Sequence, residues 1–320
     1  RSWYQDVSIA RVEDDLSDVE NLRRMNNINT FERQLTDNGY LVLKFFLHIS
    51  QKEQKARFDK LEDDKNTAWR VTDRDRWRNK HYNLYYRTLD EMLEYTNTPN
   101  APWHVVCSND SQAALLSVYR TVVDAVHEAI EAKKQGLSIS SAKGIPAPKP
   151  FNTVHTPLLS EITLEDKTIT EEKYKRELSR LQKKLKALHY KLYRRKLPVI
   201  VAYEGWDAAG KGGNIKRISA ALDPRGYEVI PIAAPTKPEL NRHYLWRFWT
   251  KVPKTGHIAI FDRTWYGRVM VERIEGLCTE DDWKRAYQEM NEFEKELTDW
   301  GAVVVKFWIH IDQDEQLRRF

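Results

Sequence analysis

Apolar positions along this chain fall into two kinds of block that alternate. One kind is short and almost continuously apolar, at residues 40–49, 103–107, 198–204, 227–232, 257–261 and 303–311. Runs of this length predict buried strands. The other kind is longer, with an apolar residue every three or four positions, at residues 19–37, 84–95, 111–133, 169–196 and 280–300. That spacing predicts amphipathic helices. Residues 214–222 also read as a helix, and Thr236-Lys237-Pro238-Glu239 has the Thr-x-x-Glu spacing of a capping box opening a helix to about Trp249. Within residues 169–196, Tyr174, Leu178, Leu181, Leu185, Leu188 and Leu192 form one apolar stripe. The opposite side carries Lys173, Lys175, Arg176, Arg180, Lys183, Lys184, Lys191, Arg194 and Arg195, as either a solvated face or an anion-collecting surface. Strands alternating with helices predict an α/β fold, a parallel sheet with helices on both faces.

An internal repeat sets the organisation. Arg1-Ser2-Trp3-Tyr4 returns 262 residues later as Arg263-Thr264-Trp265-Tyr266. At the same separation Phe31-Glu32 meets Phe293-Glu294, Leu35-Thr36-Asp37 meets Leu297-Thr298-Asp299, residues 41–49 (LVLKFFLHI) meet 303–311 (VVVKFWIHI), and Phe58 meets Phe320. The chain therefore holds parts of two homologous copies in tandem: the C-terminal part of a first copy (1–134), a linker (135–168) with Pro146, Pro148, Pro150 and Pro157, and the N-terminal part of a second (169–320). Both ends interrupt the repeat, so a fragment of a longer tandem protein is expected; a permuted domain built from 150–320 plus 1–140 is the geometric alternative.

Composition changes this picture little. The 320 residues, 41% hydrophobic, suffice for real cores. No run of 18 apolar residues occurs, and the first residues do not resemble a signal peptide, so a cytoplasmic protein away from membranes is expected. Cys107 and Cys278 are far apart and lack metal-ligand spacing. A net charge of +5 does not choose among polyanions, and no nucleic-acid-binding module is recognisable.

The chemistry concentrates between residues 204 and 213. The apolar run 198–204 leads into Gly205-Trp206-Asp207-Ala208-Ala209-Gly210-Lys211-Gly212-Gly213, followed by a helical run. Strand, glycine-rich loop and helix make a phosphate-binding loop, whose inward N–H groups cradle phosphate oxygens while Lys211 adds a positive charge. Gly212 stands where such loops usually carry a metal-ligating hydroxyl, so Mg²⁺ has to lean on carboxylates. Asp262, directly after the apolar run 257–261, is the first candidate and Asp207 the second, with loop bracing as the other reading of Asp207 and helix capping that of Asp262. Phosphoryl transfer spreads negative charge over the moving group and calls for cations. Arg263 and Arg268 follow Asp262, and Arg242 and Arg247 lie on or beside the aromatic segment Tyr244-Leu245-Trp246-Arg247-Phe248-Trp249, a possible lid.

Four motifs, residues 204–213 (EGWDAAGKGG), 222–227 (LDPRGY), 245–249 (LWRFW) and 261–269 (FDRTWYGRV), in this order and spacing, resemble the polyphosphate kinase 2 family. The tandem arrangement with Trp206 in the loop is most similar to its polyphosphate:AMP phosphotransferase subclass. The resemblance implies a P-loop kinase-like fold, inorganic polyphosphate as donor, Mg²⁺, and AMP giving ADP as acceptor, with GMP and GDP not separated from it. By position it implies that Lys211 binds the transferring phosphates, that Asp207 and Asp262 organise metal and acceptor, that Arg263 and Arg268 stabilise charge, and that Gly205, Gly210, Gly212, Gly213, Arg242 and Arg247 line the phosphate and nucleotide sites. A homo-oligomer or an intramolecular pseudo-dimer is expected. An AMP phosphate, with a second pKa near ~6, is already ionised at neutral pH and needs no dedicated base.

The first copy departs from the pattern. Gln5 and Asp6 stand opposite Gly267 and Arg268, and Ser108-Asn109-Asp110-Ser111-Gln112-Ala113 follows its strand 103–107 where basic residues are expected. It is therefore expected to be catalytically silent. The rivals to a polyphosphate-dependent enzyme are an ATP-dependent nucleoside-monophosphate kinase, separable by swapping the donor, and a truncated, non-catalytic polyanion-binding fragment.

Overall fold

Every short apolar block becomes a strand. In the computed structural model, which describes residues 2–14, 16–137, 151, 153, 156–164 and 168–320, the strands are β1 (Lys44–His48), β2 (Trp103–Cys107), β3 (Val199–Gly205), β4 (Tyr227–Pro231), β5 (Ile258–Asp262) and β6 (Val303–Ile309). The chain divides into two units, Arg1–Pro148 and Lys149–Phe320. Arg1, Pro146, Pro148 and Pro150, together with most of the expected linker, lie outside the described residues.

In the second unit the four strands are all parallel, in the order β4-β5-β3-β6. The period-two alternation of a strand divides its core cleanly. Ile200, Ala202, Ala259 and Phe261 point into one cluster with Phe248, Trp265, Met290, Phe293 and Leu297. Val201, Tyr203, Ile258 and Ile260 point into another with Ile215, Leu222, Leu185 and Leu192. The helix Glu280–Asp299 covers the first face, and the helices Glu171–Arg194 and Lys211–Ser219 cover the second. The two middle strands, β3 and β5, are buried on both faces, which is why they carry nearly unbroken apolar sequence. The chain leaves β3 towards β4 on one side and later returns to place β6 on the other. The C-terminal end of β3 is thus a topological switch point, where open α/β sheets build their sites.

The first unit pairs β1 with β2 in parallel, Lys44 opposite Trp103, within helices Tyr4–Glu13, Asp18–Asp37, Gln51–Asp63, Asp73–Lys80, Tyr82–Thr96 and Ser111–Lys134. Ser17, Ser50, Thr72 and Asp110 cap four of them, each side chain accepting from a backbone N–H of the first turn. The core is small: Tyr4, Val7, Met25 and Met92.

Four expectations need correcting. The strand expected over 40–49 contracts to Lys44–His48. The equivalents of residues 41–43 in β6 pair with β3 (Val303 with Val199, for instance), whereas β2 reaches β1 only from Lys44 onward, so residues 41–43 have no ladder among the described residues. The helix expected from Thr236 to Trp249 is two four-residue pieces, Lys237–Leu240 and Trp246–Trp249. The capping box at Thr236 and Glu239 is present, but the chain then turns inward to bury His243, Leu245 and Phe248, and burial outweighs helical continuity. With Leu245 and Phe248 in the main core, the segment is anchored and is not a lid. The stripe on Glu171–Arg194 is also rotated: Leu185 and Leu192 pack inward beside buried His189, while Leu181 and Leu188 are exposed.

The repeat is visible as chemistry. In the second unit the Glu294 carboxylate accepts from Trp265 Nε1 (3.0 Å), Tyr266 OH (2.7 Å) and Lys306 Nζ (2.7 Å). In the first, Glu32 accepts from Trp3 Nε1 (3.1 Å), Tyr4 OH and Lys44 Nζ (2.8 Å). All four positions obey the 262-residue separation.

Candidate functional site

The second unit's site is built where β3 ends. Gly205 closes the strand at φ +142°, and a Cβ there would meet the Ile309 carbonyl oxygen at 2.3 Å, so β3 and β6 approach this closely only because the residue is glycine. The loop then turns through Ala208 at φ +60° and Gly210 at φ +101°, the latter being the N-cap of the helix Lys211–Ser219. That helix points its N-terminus, with its unpaired N–H groups and positive dipole end, at the loop interior. Lys211 Nζ donates to the carbonyls of Gly205 (2.6 Å) and Trp206 (3.0 Å) and lies 4.0 Å from Asp207. An entering phosphate oxygen competes with those carbonyls for the ammonium.

The neighbouring strand supplies the second carboxylate. Tyr203 is opposite Asp262 in the β3–β5 ladder, so the loop and Asp262 emerge side by side. Just beyond, Arg263 adopts φ +66°, unusual for a residue with a Cβ, and donates its N–H to the Tyr203 carbonyl at 3.1 Å. Glu204 holds this turn: its Oε1 accepts both the N–H and the hydroxyl of Thr264, each at 2.7 Å. Burial raises the Glu204 pKa above the ordinary carboxylate value, against the pull of those two hydrogen bonds. The turn places the Arg263 guanidinium 3.6 Å from Asp207.

These groups line one cavity of about 470 Å³, walled by residues 206–212, Pro231 at the end of β4 and Ile232 just after it, and Asp262 and Arg263. Of the residues singled out in the sequence, Asp207, Gly210, Lys211, Gly212, Asp262 and Arg263 meet there. Gly205 and Gly213 stand behind it, in the strand and the helix. The other three arginines are engaged elsewhere. Arg268 is paired with Glu272 (2.8 Å), its guanidinium 4.4 Å from the centre of the Tyr244 ring. Arg242 lies over Trp246 at 4.3 Å and donates to the Pro238 carbonyl (2.8 Å), and Arg247 donates to the Ala233 carbonyl (2.9 Å).

Sequence reasoning overlooked four participants. Pro231 and Ile232 are called to the wall only by the strand order. Glu204 and Thr264 sit inside the motifs but signal nothing until β3 and β5 are seen side by side.

The donor set suits a hard divalent cation. Among the described residues no group of three or more His, Cys, Asp or Glu is placed to hold a metal, so an all-protein cage is absent. Two carboxylates, Asp207 and Asp262, face one cavity with a phosphate-type loop. That is the pattern for Mg²⁺, which keeps waters and binds through one or two carboxylates plus substrate phosphates. No helix among the described residues is long and apolar enough to cross a membrane.

Comparison with known proteins agrees with this architecture. The family model for polyphosphate kinase 2 matches residues 1–134 and 168–320. The chain is 39% identical over 322 residues to a polyphosphate:AMP phosphotransferase of Pseudomonas syringae pv. tomato and 38% identical over 323 residues to one of Acinetobacter johnsonii, with all of this chain aligned to 63% of each relative. The chain thus spans less than two thirds of the length of these relatives. A crystal structure of a polyphosphate kinase 2 from Pseudomonas aeruginosa superposes with a TM-score of 0.73 at 34% identity, over 99% of this chain and 60% of that one.

Proposed function

Because the chain belongs to the polyphosphate kinase 2 family, we propose that its second unit transfers the terminal phosphoryl group of inorganic polyphosphate to AMP. A phosphate oxygen of AMP forms a bond to the terminal phosphorus, the bridging P–O bond of the donor breaks, and ADP and a polyphosphate one unit shorter leave. The observation that carries this reading is the convergence of Lys211, Asp207, Asp262 and Arg263 on one cavity at the switch point of the sheet.

The residues divide the work by charge. The loop N–H groups and Lys211 bind the phosphates that move, and Arg263 stabilises the charge that builds on the transferred group. Asp207 and Asp262 would hold Mg²⁺, which when bound neutralises donor oxygens. AMP is the acceptor favoured here because the relatives aligned over the whole chain carry AMP in their names, while shorter alignments reach enzymes named for ADP and other nucleoside diphosphates. The first unit is catalytically silent, with Asp6 where the second has Arg268.

The test is ADP formation from AMP and Mg²⁺, with polyphosphate or ATP as donor. Wild type is expected to make ADP with polyphosphate, and Lys211→Ala to lose that activity. ADP formed only with ATP sinks the proposal.

A further inference from the structure

A phosphate loop that turns its N–H groups inward turns carbonyls outward, where they accept either from water or from protein donors that fix their direction. Here the partners come from the helix Gln313–Arg319, which follows β6. Gln316 Nε2 donates to the Asp207 carbonyl at 2.9 Å, and Arg319 Nη1 donates to the Ala208 and Ala209 carbonyls, both at 3.1 Å. Three consecutive outward carbonyls are thereby held, including that of Ala208, whose left-handed backbone is the strained point of the turn. Arg319 is itself fixed: its Nε donates to Glu315 at 2.6 Å, and the Glu315 N–H donates to Asp312 at 2.7 Å at the helix start. Neither Gln316 nor Arg319 lines the cavity.

The first unit repeats the device with a different target. Arg57 and Glu53 stand 262 residues before Arg319 and Glu315. Arg57 Nε donates to Glu53 at 2.7 Å, while Nη2 donates to the carbonyls of Ser108 (2.6 Å) and Asn109 (3.1 Å), in the loop after β2. One glutamate–arginine pair, one turn apart on the same helix, thus clamps a strand-to-helix loop in each unit. In the second unit the loop is the one with the phosphate motif.

We propose that Gln316 and Arg319 are positioning residues that hold the phosphate loop in its anion-binding shape. The inference rests on the reading of residues 205–213 as a phosphate site, and goes beyond it by naming what sets their shape. A guanidinium bridges two carbonyls with directed N–H groups, which an ammonium does not reproduce.

The experiment is calorimetric binding of inorganic tripolyphosphate with Mg²⁺ to wild type, Arg319→Ala, Arg319→Lys, Gln316→Ala and Arg57→Ala, with thermal unfolding and AMP turnover alongside. Loss of two hydrogen bonds from a charged donor is expected to weaken tripolyphosphate binding about tenfold or more in Arg319→Ala. Arg319→Lys restores part of it, Gln316→Ala loses less, and KM for AMP stays unchanged. Arg57→Ala lowers Tm without altering tripolyphosphate affinity. Unchanged affinity in Arg319→Ala with a lowered Tm overturns the proposal, leaving Arg319 a purely structural residue. Absence of tripolyphosphate binding by wild type overturns it together with the phosphate reading. Binding without ADP formation overturns the polyphosphate:AMP reading alone.

Discussion

Arg263 keeps its left-handed backbone (φ +66°) because its neighbours over-determine it: the Tyr203 carbonyl takes its N–H, and Glu204 takes both donors of Thr264. Glu204 makes these bonds from a largely buried position that raises its pKa above the ordinary 4.5. The folded state holds the Glu204 proton more tightly than the unfolded state, so the contribution is fully present below about pH 4.5 and is lost as pH rises through the folded value. Glu204→Gln keeps an acceptor oxygen and cannot ionise. Its Tm relative to wild type should therefore rise with pH from 4.5 upward, in melts taken at several pH values. A difference that stays flat with pH means that Glu204 is not the group responsible. The motifs displayed Glu204 and Thr264 as letters, but nothing in their spacing joined them: their contact is made between β3 and the turn after β5, 60 residues apart.

The paired glutamates show how an element is anchored differently in the two copies. In the first unit, Glu32 and Lys44 have side chains 0% and 4% exposed, and Lys44 Nζ also donates to the Thr96 carbonyl (2.6 Å) at the end of the helix Tyr82–Thr96. In the second, Glu294 and Lys306 are 14% and 47% exposed. Breaking a buried pair strands a charge away from water, at about 3–5 kcal/mol, whereas an exposed pair contributes about 1 kcal/mol or less. Glu32→Ala is therefore expected to destabilise the first unit by more than Glu294→Ala destabilises the second, in chemical unfolding followed with a probe in each unit. Equal losses would show that burial is not what separates the two quartets. Helix ends are a local matter: the side chains of Ser17, Asp110, Thr170 and Thr279 each accept from a backbone N–H of the first turn and cap a helix.

For the molecule as a whole, a net charge of +5 is modest, but much of the basic character is gathered on the exposed side of Glu171–Arg194. A long polyanionic donor interacts with such a field over many charges, and a single nucleotide over few. Raising ionic strength from about 0.05 to 0.3 M shortens the screening length and should raise KM for long-chain polyphosphate several-fold, with a smaller change for AMP. Equal salt dependence for both substrates would remove the basic helix from donor binding. Turnover itself should depend on one site only: Lys211→Ala leaves no residual activity if the first unit is silent.

The sequence alone determined the alternation of strands and helices, the tandem repeat, the phosphate loop and the family, because each is written in local periodicity or in contiguous motifs. The same locality explains the helix caps. What it left undecided are relations between segments distant along the chain. Strand order decided that Asp262 and Arg263 join Lys211, and that Pro231 and Ile232 close the wall. Burial of His243, Leu245 and Phe248 split one expected helix, and Arg242 and Arg247 do not line the cavity. The grip of Gln316 and Arg319 on the loop carbonyls, more than a hundred residues away, exists only once β6 lies beside β3. Burial and hydrogen-bond satisfaction are properties of the folded whole, so no window of the sequence contains them.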